Sequence, residues 1–199
     1  MLSKILTGTQ NLGDSAVTTM RGGRQGDGIV SELHGRYYEQ TYRQNMYSVC
    51  NQAAVTTTAT LATTFTGLAV ANPAASGVNL VINKFTCAQF AVGAAAVVGV
   101  SVGAGAAAGS LVIRNRRYGY PTSPNTTASA SATIAAPILI ATAGSVGSVA
   151  TTGYGLSQSI VLDFEGSLII PPGYFVASDT SIATTTALIF SFSWEEVPV

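Results

Sequence analysis

The chain has 199 residues, with nine Lys and Arg against nine Asp and Glu, so its formal net charge is zero and only 9% of its residues are charged, well below the roughly 25% of an average soluble domain. Ala (29), Thr (24), Gly (21) and Ser (19) supply close to half of it, which excludes a large helical enzyme, and neutrality excludes a nucleic-acid partner held by bulk charge. Neutrality also removes the repulsion that keeps copies apart, as expected of a chain that assembles.

Residues 1–10 carry one Lys and only short apolar pairs, too little for the apolar core of a signal peptide, so secretion by that route is not expected. Nine of the eighteen charges lie in residues 1–50, whereas 51–113 hold only Lys84 and 118–162 hold none. This shift predicts an N-terminal arm with a first strand over 1–50 and a β-sandwich domain over 51–199. Within the arm, Arg21-Gly-Gly-Arg-Gln-Gly-Asp-Gly28 is too glycine-dense to hold regular structure without a partner and reads as an extended tail. Arg21, Arg24, Asp27 and Arg36 are its candidate docking residues. The segment Arg36 to Val49 then alternates, with Tyr38, Gln40, Tyr42, Gln44 and Met46 on one face, and predicts a strand.

Beyond residue 51 short β segments follow one another between Gly, Pro, Asn and Ser. Thr56 to Leu68 is Thr-rich and extended, and Ala71-Asn-Pro-Ala-Ala-Ser-Gly77 is a turn leading into a strand over Val78 to Phe90. Ala88 to Ile113 has no charge and places Gly99/Gly103 and Gly105/Gly109 four apart, as in membrane helices. Its shortage of Leu, Ile and Phe and its polar Gln89, Ser101 and Ser110 argue against a span, so no membrane partner is expected. A strand is predicted in Gly109 to Asn115. Ser159 to Glu165 puts Ile160, Leu162 and Phe164 on one face, and Pro171-Pro-Gly-Tyr174 turns the chain into Tyr174-Phe-Val-Ala177. Leu188, Phe190, Phe192 and Trp194 alternate with Ile189, Ser191 and Ser193 in the clearest strand of the chain. The fold class is therefore all-β, an antiparallel sandwich. Small side chains bury little area, so close packing against identical copies is expected.

Chemistry-bearing patterns are few. His34 is the only histidine, and Cys50 and Cys87, 37 residues apart, match no metal spacing. The cysteines read as a free pair of small side chains, with a disulfide the lesser alternative. Gly99-Val-Ser-Val-Gly103 spells a nucleophile elbow at Ser101, but His34 lies upstream of it and the first acid downstream is Asp163. Gly103-Ala-Gly-Ala-Ala-Ala108 fits a loose dinucleotide fingerprint without the acid that should follow. Asp163/Glu165 share a strand face but read as a solvated rim, and Glu195/Glu196, as neighbours on a strand, point to opposite faces. Asn125-Thr-Thr is a glycosylation sequon by letter only. No cofactor, metal or catalytic residue is expected. One basic cluster remains, Arg114-Asn-Arg-Arg-Tyr-Gly-Tyr120, where Arg114, Arg116, Arg117, Tyr118 and Tyr120 are candidates for contact with a phosphate, a sugar face or an acidic partner.

The string Leu168-Ile-Ile-Pro-Pro-Gly-Tyr-Phe-Val176, a Thr/Ser/Ala stretch, and Ala187 to Trp194-Glu-Glu-Val-Pro-Val199 resemble the ending of tailed-bacteriophage virion proteins. Asn72-Pro-Ala-Ala-Ser-Gly-Val-Asn-Leu-Val-Ile82 and Arg36-Tyr-Tyr-Glu-Gln40 are similar to their upstream regions. The resemblance is scattered over 36–199 and leaves the Ala/Gly-rich 91–109 unmatched. It implies a jelly-roll-like sandwich, trimeric in the manner of tumour-necrosis-factor-like domains, on the capsid or tail surface. The expectation is a non-enzymatic virion protein assembled in the host cytoplasm. It would be a capsid decoration or cement protein, or a tail or collar component, whose partners are its own copies and a virion protein such as the major capsid protein. A receptor- or glycan-binding module is the alternative.

Overall fold

The computed structural model describes residues 35–53, 55, 57–58, 64–65, 67–89, 95–105, 109–120, 124–130, 134–147, 159–183 and 188–199. The chain divides into two compact units, Met1–Glu39 and Gln40–Val199. Arg21, Arg24, Asp27 and His34 lie outside the described residues. Arg36 is exposed, its guanidinium 5.5 Å from the Tyr37 ring centroid.

The predicted strand over 36–49 is corrected. A short helix, α1 (Tyr38–Tyr42), comes first, then a turn in which Gln44 takes a φ of 67°, and only β1 (Met46–Cys50) is extended. Gln44 N donates to Thr41 O at 3.1 Å and Asn45 N to Gln40 O at 3.0 Å, so local bonds replace a ladder here. Alternating Tyr and Gln over nine residues fits one helical turn as well as it fits a strand. β1 pairs along its whole length with the C-terminal strand, so the first strand belongs to the sandwich, within the unit Gln40–Val199.

Along the chain follow β2 (Thr64–Phe65), β3 (Leu68–Asn72), β4 (Val78–Gln89), β5 (Ala96–Ala104), β6 (Arg114–Asn115), β7 (Thr127–Ala130), β8 (Ile134–Ala135), β9 (Ile138–Val146), β10 (Ser159–Ile170), β11 (Tyr174–Thr180) and β12 (Leu188–Pro198). They form a first sheet in the order β10-β4-β12-β1-β6, a second in the order β7-β3-β11-β5-β9, and a ribbon of β2 with β8. Neighbours pair antiparallel. β1, β3, β4 and β5 alternate between the two sheets, and β9, β10, β11 and β12 alternate again, which is the jelly-roll pattern. The predicted strand over 109–115 shrinks to β6: Ser110 N and Leu111 N both donate to Ala128 O, so that stretch runs as a loop against β7. The unmatched 91–109 region supplies β5, a strand flanked by β11 and β9.

The core sits between the sheets. From the first come Trp194, Phe85, Phe190 and Phe192, all fully buried, with Phe85 and Phe192 ring centroids 4.9 Å apart. Against them the second sheet sets Leu68, Val70, Val98, Val100 and Val176. Large flat rings thus meet a smaller branched layer, which lets two pleated faces interdigitate.

Two chain crossovers between the sheets are locked to each other. The β3–β4 connection begins at Asn72 and the β10–β11 connection is Pro171-Pro-Gly173. Buried Asn72 Nδ2 donates to Val78 O (2.8 Å) and to Ile170 O (3.0 Å), while Gly173 N donates to Asn72 O (2.7 Å). Gly173 has a φ of 87°, which a side chain would resist. Asn72 and Pro171-Pro-Gly173 are therefore parts of one structural corner.

Candidate binding surface

The basic cluster is split by strand geometry. In β6 the side chains alternate, so Arg114 is exposed, Asn115 is buried and Arg116 beyond it is exposed. Asn115 Nδ2 donates to Gln44 O (2.7 Å), its Oδ1 accepts from Arg117 N (2.8 Å), and Arg116 N donates to Met46 O (2.9 Å). These bonds pin the backbone that carries the two free arginines. The buried amide has a second effect: burial raises the Tyr47 phenol and the Glu196 charge raises it further, with the Asn115 hydrogen bond opposing both.

Arg117 turns the other way. Its guanidinium lies 4.4 Å from the Tyr42 ring centroid and 3.8 Å from that of Tyr120. It also donates to Tyr42 O and to Tyr120 Oη, each at 2.8 Å. The cation is used to tie the 116–120 loop to the residues before β1, and one face of Tyr120 is occupied by it. Tyr118, at 91% exposure, stands clear of this stack. Sequence reasoning grouped the five residues; the structure separates Arg114 and Arg116, Arg117 with Tyr120, and Tyr118.

Arg114 and Arg116 look onto a groove that the sequence did not show. Register makes it: Asp163 of β10 stands opposite Lys84 of β4, Lys84 opposite Ser193 of β12, Ser193 opposite Ser48 of β1, and Ser48 opposite Arg114. The next row holds Val161, Thr86, Ser191 and Cys50. These rows form the outer face of the first sheet, floored by small hydroxyl side chains, with Thr86 and Ser191 hydroxyls 2.5 Å apart. Lys84 keeps Asp163 at 3.4 Å. Leu111 and Val112 make one wall of the groove, whose volume is about 590 Å³.

Ser101 is fully buried in the middle of β5, and its Oγ has no hydrogen-bond partner among the described residues. It does not sit on the sharp strand-to-helix turn that an elbow requires. The flanking glycines have packing reasons: a Cβ on Gly99 would come 2.6 Å from Ala141 O, and one on Gly103 would come 2.5 Å from the Phe175 ring. Asp163 and Glu165 are both exposed. Glu196 is buried and accepts from Asn125 N, Asn125 Nδ2 and Thr126 Oγ1, so the sequon asparagine is engaged, while Glu195 lies on the opposite face. The cysteines are free; Cys87 is buried, its thiol pushed up to about 12 by burial. Among the described residues no helix is long and apolar enough to cross a membrane, and no group of three His, Cys, Asp or Glu gathers.

No family model, no curated protein and no solved structure matches the chain.

Proposed function

We propose that the protein is a structural component of a tailed-bacteriophage particle, a jelly-roll subunit without enzymatic activity that assembles as a homotrimer and docks on another virion protein through its N-terminal residues. The observation that carries the assembly is one apolar side of the sandwich, where the edge strands β9 and β10 meet. Ile138 (64% exposed) and Ile140 are exposed there. Ile160, Leu162, Phe164 and Leu168 pack on the core yet are only partly buried. β9 carries no charge along its nine residues. An uncharged edge strand beside exposed apolar side chains invites pairing with other chains unless it is covered; identical copies cover it in the proposed assembly.

Light scattering of the purified chain should give a trimer, and Leu162→Glu with Ile140→Lys should release monomers that keep a β-rich circular dichroism spectrum. A wild-type monomer at all concentrations overturns the assembly. Deleting residues 2–30 should leave the sandwich folded and abolish incorporation into particles; normal incorporation overturns the docking role. A second reading, a receptor- or glycan-binding module, is favoured by the 91% exposure of Tyr118 beside the arginines, since an unpaired aromatic face suits a sugar ring.

A further inference from the structure

The groove on the outer face of the first sheet concentrates charge in a chain that has little. Residues 40–199 contain five cations, Arg43, Lys84, Arg114, Arg116 and Arg117. Three of them line the groove, and no Asp or Glu does. Neither Arg114 nor Arg116 has a carboxylate partner among the described residues; Lys84 is paired with Asp163, on the side away from them. Buried Asn115 fixes the backbone between them, so the two arginines leave one short strand on the same side, and each guanidinium can reach into the groove.

We infer that this groove binds the acidic group of a negatively charged saccharide, with Arg114 and Arg116 pairing a carboxylate or sulfate and Lys84, already paired with Asp163, standing across the floor from them. The volume lies within the roughly 300–1,000 Å³ of small-ligand sites. The floor selects the ligand class. β4 and β12 are paired on both sides across the groove, and β1 is paired on both at Tyr47 and Ser48, so the floor leaves a strand-like peptide little free backbone to bond. What they offer are Ser48, Thr86, Ser191 and Ser193 hydroxyls, which donate and accept and so match sugar hydroxyls. Leu111 and exposed Val112 give the wall an apolar surface for the C–H side of a ring. The inference rests on the receptor-binding reading and moves its site from the tyrosines to the groove.

Calorimetry of the full chain with three probes tests it: a heparin-derived tetrasaccharide for sulfate, an oligogalacturonate for carboxylate, and maltotetraose as the neutral control. One or both acidic probes should bind, more weakly as salt rises, and maltotetraose should not. Arg114→Gln/Arg116→Gln should weaken that binding by about tenfold or more with an unchanged melting temperature, because both side chains are exposed. Equal binding by the double variant overturns the inference, as does poly-glutamate binding that matches the saccharides. If neutral sugars bind and Tyr118→Ala abolishes it, the receptor reading stands and the groove falls. If no saccharide binds at all, both fall.

Discussion

In the first sheet, Trp194 and three phenylalanines face inward while serines and threonines face out, the ordinary division for a sandwich. In the second, β3 is buried along its whole length and β11 from Phe175 to Thr180, so both faces are closed. A second small core of Ala69, Ala71, Ile134, Phe175 and Ala177 covers the outer side. The contrast shows what the excess of Ala and Gly is for. Where only one face is buried, bulky residues do the packing; where both are, small ones let a further layer come close. The Phe175 ring lies where a Gly103 side chain would be, and the β9 backbone lies where a Gly99 side chain would be.

The comparison breaks most visibly at Phe175. Phe175→Ala, outside the main core, should still destabilise by about 3–5 kcal/mol, as deletion of a fully buried ring does. Val161→Ala, on the outer face of the first sheet and 56% exposed, should stay within about 0.5 kcal/mol. Urea midpoints of the two variants measure the difference. Similar costs would mean that the second sheet has no core on its outer side.

The same contrast explains which parts of the fold could be read in advance. Alternation marks a strand with one wet face, so β12 and β10 were legible from Leu188 to Trp194 and from Ile160 to Phe164. β5 and β9 were not. In β5 Gly and Ser take the positions opposite β11 and β9, and the run of Val, Ala and Gly has no period to detect. Residues 36–45 misled for another reason, since Tyr, Gln and Thr suit either state and the left-handed Gln44 leaves no mark in the sequence. The groove was half legible. Arg114 and Arg116 stand in one charged string, but Lys84, Ser48, Ser191 and Ser193 reach them only through strand order, and Tyr42 meets Arg117 from 75 positions away.

The corner where the sheets exchange strands offers an intermediate test. Asn72→Ala leaves Val78 O and Ile170 O without their buried donor, and a stranded buried group costs roughly 1–3 kcal/mol. A loss of about 2–4 kcal/mol is expected on that basis. Thr86→Val removes one bond on the wet face, between Thr86 and Ser191, where water replaces it, and should cost less than about 1 kcal/mol. Denaturant unfolding of both variants sharpens the comparison between a dry junction and an open face. If Asn72→Ala unfolds at the wild-type midpoint, the corner is not a lock.

The smallest effect tests how uniform that open face is. At the end away from the groove, Glu195 stands opposite Met46, which is buried, with Asn83 Nδ2 3.5 Å from its Sδ. Burial raises the Glu195 carboxyl above its ordinary value of 4.5. A raised carboxyl means that the folded state holds the proton more tightly than the unfolded chain, so the charge opposes folding above the folded value and ceases to do so as pH falls through 4.5. Glu195→Gln should therefore unfold at a slightly higher urea concentration than wild type near neutral pH, and the gap should close on acidification through that window. A gap that persists in acid would assign the gain to packing, and no gap at any pH would mean that this end of the face is as wet as the groove.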